Sequence, residues 1–468
     1  MKTLILVCIS TCFYFSTRAQ EKTQRLSLKE AISYALENSY NTKAAKNDIN
    51  SAKKKVWETT TIGLPQVNAK VNYQNFLGQP VSLLPAAAFD NRESVVQTVE
   101  DFFDLNREGS PEKPDGFIPV VFGTTQNINA SVTLTQLVFD GSYLVGLQAS
   151  KTFLKISKQA DEKTALLTRE AVINAYGNVL VTEESISILE VNVKISQKNF
   201  TDAQKINENG LNEEEDVEQL EITLGNLKNQ LNSMIRMKKI AYQMLNLSLG
   251  KPIDIKLILT DSLDGLAENN INLKLIGSAF NFSNHIDFKI SENNRETKRL
   301  MMRLEQSKTL PSLSAFLNFG SQTFSNSFSL FNSSQKWFAS SLLGVNLNIP
   351  IFSSFGGPAK IAQAKIALET ADLRLEETKH RLSLQAQKAK NDYQISIENY
   401  QTSKKNVGLA ERIEKKQRIK FFEGISSSFD LLQAQNQLYA QQQNYIQSML
   451  AIITRKATLE NALNLPIK

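Results

Sequence analysis

Between Ser142 and Asn209 the chain has no proline and only two glycines, Gly146 and Gly177. A breaker-free run of roughly 68 residues reads as one helix about 100 Å long at 1.5 Å per residue. A second such run opens at Gly356-Gly357-Pro358 and continues to about Glu423. Each run ends in the same pattern: a glycine, an apolar residue, four further residues, an aspartate and another apolar residue. The copies are Gly210-Leu211-Asn212-Glu213-Glu214-Glu215-Asp216-Val217 and Gly424-Ile425-Ser426-Ser427-Ser428-Phe429-Asp430-Leu431. Glycine takes the left-handed conformation that closes a helix at low cost. Asn212 and Ser426 follow as caps, and acidic residues fall in the next first turn, where the helix dipole favours them. Asn212 and Glu215 have the spacing of a capping box. Both stretches read as turns of αα-hairpins, with return helices to about Leu249 and about Asn464.

Shorter helices and alternating segments precede each long run. Ser27 and Glu30 form a capping box ahead of the apolar face Leu28, Ile32, Ala35 and Leu36. A second helix is predicted from about Tyr40 to Thr60, broken by Pro65. The period then becomes two. Val67, Ala69, Val71 and Tyr73 alternate with polar residues, as do Ile128, Ala130, Val132 and Leu134, which predicts two strands with a polar connection over 79–123. The plan recurs: a helix over 285–308, alternation over 312–319 and over 342–349, and a Ser/Phe/Asn-rich loop over 321–334.

The repeat is measurable. Leu64-Pro65-Gln66-Val67 matches Leu310-Pro311-Ser312-Leu313 at an offset of 246, Val138-Phe139 matches Ile351-Phe352 at 213, and Gly210 matches Gly424 at 214. The first strand pair therefore carries 33 more residues than the second (246 less 213), all within 75–125. The expected organisation is a secretory leader over 1–19, a first repeat over 20–250 (strand pair about 64–139, long hairpin about 142–249), a connector over 251–270 and a second repeat over 271–468 (strand pair about 311–352, long hairpin about 356–464).

The leader reading rests on Lys2, the apolar stretch Leu4 to Phe15 and a cleavage pattern at Thr17-Arg18-Ala19. Cys8 and Cys12 both fall inside it, so disulfides and thiolate metal sites are not expected beyond it. Formal charge is +6, or about +4 without Lys2 and Arg18, and the charges are interspersed, which does not suit nucleic acid. The only histidines are His285 and His380, with no His-Glu-x-x-His and no phosphate-binding glycine loop. No enzyme, cofactor or metal site is expected.

The strands carry almost no charge. One face suits lipid, while Asn, Ser, Thr and Gln suit a water-filled lumen. Tyr73, Phe76, Phe319, Trp337 and Phe338 are placed near strand ends, where an aromatic girdle would sit. Four strands cannot close a barrel, and open edges are not tolerated in lipid, so several chains must share one. Along the last helix Phe429, Leu432, Asn436, Tyr439, Gln443, Ile446, Leu450 and Ile453 form one stripe, and Leu431, Leu438, Tyr445, Ile452 and Leu459 a second. Two flanking stripes suit a helix with neighbours on both sides.

Taken in order and in duplicate, these pieces resemble the TolC family of outer-membrane efflux channels: Leu28-x-Glu30-Ala31-Ile32-x-x-Ala35-Leu36-x-Asn38, Leu-Pro-x-Val/Leu before each strand pair, Phe139-Asp140-Gly141 and Phe352-Ser353-Ser354-Phe355-Gly356 after each, and both tips. The resemblance implies a mainly α fold with a membrane β-barrel portion. Three chains would form a 12-stranded β-barrel in the outer membrane and an α-helical barrel through the periplasm. It implies a passive channel for an inner-membrane pump of RND, ABC or MFS type, reached through a periplasmic adaptor. Gly210, Leu211, Asp216, Val217, Gly424, Ile425, Asp430 and Leu431 would contact the adaptor. Asp430, Phe421 and Gln433 would form the constriction. Family members that latch this aperture with ion pairs use basic or tyrosine side chains near the second tip. Here the flanking positions are Phe421, Ser426 and Gln433, with Arg418 and Lys420 about one turn before the glycine. The competing reading is a periplasmic coiled-coil adaptor or scaffold without a pore.

Overall fold

The structure is a computed structural model describing residues 24–106, 108–109, 112–210, 213–328 and 332–465. The leader and the tip residues Leu211 and Asn212 lie outside the described residues. In chain order, β1 (Gln24–Leu26) leads into α1 (Leu28–Asn38) and α2 (Tyr40–Thr61). Then come β2 (Gln66–Asn75), β3 (Val81–Pro85), α3 (Arg92–Phe103), β4 (Phe117–Val121) and β5 (Gln126–Phe139). The first long hairpin is α4 (Gly141–Glu208) and α5 (Glu214–Leu249). β6 (Leu257–Leu259), α6 (Leu263–Asn269), α7 (Ile286–Ser307), β7 (Ser312–Ser325) and β8 (Phe338–Asn348) precede the second, α8 (Gly356–Phe422) and α9 (Ser428–Ala462).

Local chemistry sets these boundaries. Ser27 Oγ accepts from Glu30 N–H at 3.3 Å while Ser27 N–H donates to Glu30 Oε2 at 2.8 Å, a reciprocal cap on α1. α4 begins where the Asp140 carboxylate accepts from the N–H groups of Ser142 (2.6 Å) and Tyr143 (3.1 Å). α8 begins where Ser353 Oγ accepts from Gly357 N–H at 3.2 Å. The short motifs after each strand pair are therefore helix starts, satisfying N–H groups that a helix leaves unpaired. α5 ends at Gly250, in the left-handed region at φ +75°.

The described residues separate into two units. The first, within 1–56, 148–302 and 360–468, is helical. Its core joins Ala31 and Ala35 of α1, Val172, Tyr176 and Val179 of α4, Leu245 and Leu249 of α5, Tyr393 and Ile397 of α8, and Ile446, Ile452 and Leu459 of α9. The connector is more ordered than its sequence suggests. β6 pairs in parallel with β1, Leu26 opposite Leu259, and α6 packs on α9. A three-residue strand has no readable period, so only tertiary pairing reveals it. Tyr176 is buried and its hydroxyl lies 2.8 Å from Asp261 Oδ2 and 3.0 Å from Leu26 O, while Leu28 N–H donates to the same carboxylate oxygen at 2.7 Å. Burial, then the Asp261 hydrogen bond, pushes the phenol well above its usual range. Tyr176→Phe removes the hydroxyl's hydrogen bond to this carboxylate, leaving that from Leu28 N–H, and is expected to cost about 1.5–3 kcal/mol. A melting temperature unchanged from the parent chain would contradict that assignment.

The second unit, within 57–147 and 303–359, holds a four-stranded antiparallel sheet in the order β2-β5-β7-β8. Register aligns the faces across β2, β5 and β7, while β8 continues the apolar rows but brings Leu342 and Phe338 into the rows of Asn318 and Gln322. Val67, Leu134, Leu317 and Leu343 form one cross-strand row, and Ala69, Val132, Phe319 and Ser341 the next. The opposite face presents Asn68, Thr133 and Asn318 in one row and Asn72, Asn129 and Gln322 in another, with Asn318 Nδ2 donating to Thr133 Oγ1 at 2.6 Å. β2 and β8 each leave one edge unpaired within the chain. Phe319 departs from the expected girdle: it pairs with Val132 in the middle of β7, on the apolar face. The Tyr73 and Phe328 rings meet edge-on at 5.9 Å, and those of Phe324 and Phe338 lie 6.3 Å apart. The connection over 79–123 is likewise not plain loop, since it contains β3, β4 and α3.

Candidate functional site: the paired hairpin tips

Each tip turns on a glycine at φ +71°, Gly210 and Gly424. At the second, Ile425 N–H donates to Lys420 O at 2.9 Å and Gly424 N–H to Phe421 O at 3.0 Å, the paired closure of a helix that only a left-handed residue permits. The return helices start one residue later than expected. In the second tip the cap is Ser427, not Ser426: its Oγ accepts from Asp430 N–H at 3.2 Å and donates to Asp430 Oδ2 at 3.0 Å. The aspartate three residues on decides which serine of the run caps. Ser426 is not displaced from the site, since its Oγ donates to the same carboxylate oxygen at 3.2 Å. In the first tip the cap is Glu213, without a side-chain capping bond, and Asn212 of the expected Asn212–Glu215 pair lies outside the described residues.

The four long helices share one small core here. Ala203 of α4, Leu220 of α5, Phe421 of α8 and Leu431 of α9 are buried together, with Val217, Phe422 and Leu432 packed around them. Ser428 Oγ donates to Gln219 Oε1 at 3.2 Å, tying the second tip to the first. Phe421 and Leu431, expected at the constriction and the adaptor surface, are therefore committed to the chain's own tip core. Their apolar side chains gain more from burial against each other than from water. Asp216 and Val217 are half-buried, while Gly210, Gly424, Asp430 and Gln433 are exposed. Ile425 is 70% exposed and Phe429 66%. Phe429 falls within the tip pattern and in a helical stripe, but neither reading marks it as turned outward. Its position two residues after the cap, flanking the buried Leu431, is the signal that turns it outward.

The electrostatics at the second tip are mostly local. The Ser427 hydroxyl, then that of Ser426, holds the Asp430 carboxyl below its ordinary value of 3.8. Arg418 pairs with Glu414 of its own helix at 3.5 Å. Above the tip, Leu431, Leu438, Ile452 and Leu459 are buried along one stripe of α9, while Asn436 and Phe429 of the other are exposed. Between the tip core and the main core the packing turns polar. Asn192 Nδ2 donates to Gln442 Oε1 at 2.9 Å, and Ser196, Asn199 and Gln435 are buried. Among the described residues no group of three or more His, Cys, Asp or Glu could hold a metal ion, and no helix is long and apolar enough to cross a membrane.

This arrangement of duplicated hairpins and two-faced sheet is shared with known proteins. A sequence model described as outer membrane efflux protein matches residues 283–465, from the start of α7 through α9. Residues 283–465 carry the sequence pattern of that family. The fold extends the likeness to nearly the whole chain. The outer membrane protein VceC from Vibrio cholerae superposes with a TM-score of 0.67 at 15% identity, covering 93% of this chain and 95% of that one. The CmeC outer membrane channel of Campylobacter jejuni gives 0.68 at 16% identity, covering 93% and 85%. The open state of the MtrE outer membrane channel of Neisseria gonorrhoeae gives 0.67 at 15%, covering 93% and 88%. No curated protein matches the sequence. At this identity the fold is shared but few side chains are, so the site residues have to be argued from this chain's own geometry.

Proposed function

We propose that the protein is the outer-membrane channel of a tripartite efflux or type I secretion system. Three copies close a 12-stranded barrel. Their helical hairpins form a tunnel through the periplasm, and substrate moves passively from an inner-membrane pump. The observation that carries this reading is the sheet. It has an apolar face, a polar face and two open edges, a combination stable in lipid only when other copies supply the missing partners. Residues 1–19 act as the export leader. The exposed tip groups Ile425, Phe429 and Asp430, with Gly210 and Gly424 shaping the turns, form the docking surface for a periplasmic adaptor. Asp430 and Gln433 line the narrowest point, while Phe421 and Leu431 support it from within.

Three symmetry-related carboxylates at Asp430 favour cations. Because its folded-state pKa is lowered, the charge persists through neutral pH. The cation preference and the cap's contribution to stability are both present above 3.8 and fade as pH falls through the lowered value. Single-channel recording in planar bilayers tests this. The parent channel should select cations at pH 7, and Asp430→Asn should lose most of that selectivity while keeping the cap geometry. Equal selectivity in both would remove Asp430 from the lumen. Absence of any conductance would favour a poreless periplasmic scaffold.

A further inference from the structure

The 33-residue excess of the first repeat lies between β2 and β5. It is built from an amphipathic helix and a ribbon that is largely apolar on both faces. β3 and β4 form an antiparallel ribbon with Val81 opposite Val121, Leu83 opposite Pro119 and Pro85 opposite Phe117. These pairs share one face, and Val81, Leu83, Phe117 and Val121 are all exposed. α3 carries Val95, Val99, Phe102 and Phe103 on one side, all exposed, with Phe102 79% so. Its opposite side carries Glu93 and Asp101. Neither apolar face covers the other within the chain.

Both faces call for a partner. A two-stranded ribbon is marginal in water without packing on one face, and contiguous exposed apolar surface marks an interaction site. Lipid is a poor candidate. Residues 90–116 hold eight Asp and Glu against three Lys and Arg, and helices that lie on membranes carry Lys and Arg on the polar side. Two further facts point to a second copy. The excursion grows from the end of β2, the open edge at which a neighbouring copy must pair. It also presents two unlike apolar faces, a helix and a ribbon. A three-fold interface is heterologous: one patch of each subunit meets a different patch of the next.

We propose that α3 of each protomer docks on the β3–β4 ribbon of the next, so that three excursions close as a ring over the outer mouth of the barrel. This rests on the trimeric channel reading. The ring adds a second protomer contact beyond the sheet and narrows entry from outside.

Cysteine pairing tests it, and the sequence has no cysteine beyond Cys12. Differently tagged chains carrying Leu83→Cys and one of Val95→Cys, Val99→Cys or Phe102→Cys are co-expressed, extracted as the intact particle and oxidised. At least one pair should give a covalent dimer joining the two tags. Placing both cysteines of that pair in one chain should give a covalent trimer. Leu83→Cys with Gln97→Cys, on the side of α3 that carries Glu93 and Asp101, should give none. An intact trimer without interchain links, or oxidised doubles running only as monomers, would overturn the ring and leave the channel reading standing. A particle that is not a trimer by mass would overturn both. As a second readout, Val99→Glu with Phe102→Glu should lower the melting temperature of the trimer, and an unchanged melting temperature would count against the ring.

Discussion

Gly250→Val is expected to destabilise the helical unit severely. Gly250 ends α5 at φ +75°, a conformation that costs any side chain and a β-branched one most. Space is also absent. A Cβ there would fall on the carbonyl oxygen of Asn38 and 2.8 Å from Ser39 Cα, backbone atoms of the α1–α2 junction that cannot rotate away. Left-handed strain and forced overpacking together amount to about 3–5 kcal/mol, a large part of what a domain has in reserve. Gly424→Ala is the matched control. Its φ is also +71°, but nothing lies within 4 Å of the added carbon. Only the conformational term remains, about 1–2 kcal/mol. Yield of assembled particle and its melting temperature check the pair. Equal loss in both would mean that the α1–α2 junction is looser than described.

The second large effect separates the two faces of the sheet. Val132 and Thr133 are neighbours in β5, at the same height and on opposite sides. Val132→Arg puts a charge on the apolar face in mid-strand, where lipid exposure costs about 2–4 kcal/mol in each chain. Thr133→Arg puts the same charge among Asn68 and Asn318, losing one hydrogen bond of about 1 kcal/mol. Outer-membrane fractions should therefore contain the Thr133 variant and little of the Val132 variant. The reverse outcome would turn the sheet inside out, with the apolar face packed on protein and the polar face in solvent.

Much of this was legible in residue order. Proline-free runs, glycine stops and alternation were enough for α4, α5, α8 and α9 and for the four strands of the larger sheet, because each signal repeats over many residues. Short elements carried no such redundancy. β1 and β6 are three residues each and exist through their mutual pairing. β3 and β4 interrupt a segment whose turns and acidic residues mask a brief apolar alternation. At the tips, the run Ser426-Ser427-Ser428 offers three caps, and only the position of Asp430 selects one. Phe421 and Phe429 show what sequence alone does not settle. Both are aromatic and both flank Gly424, yet one is buried against Ala203 and Leu220 and the other is exposed. That difference depends on where α4 and α5 stand, which is a property of the assembled hairpins.

The proposed pore requires one barrel shared among copies. Fractionation of the expressed protein, followed by native mass determination of the detergent-extracted particle, tests it most directly. An outer-membrane particle of three chains is expected. A monomer or dimer that stays in solution without detergent would contradict it.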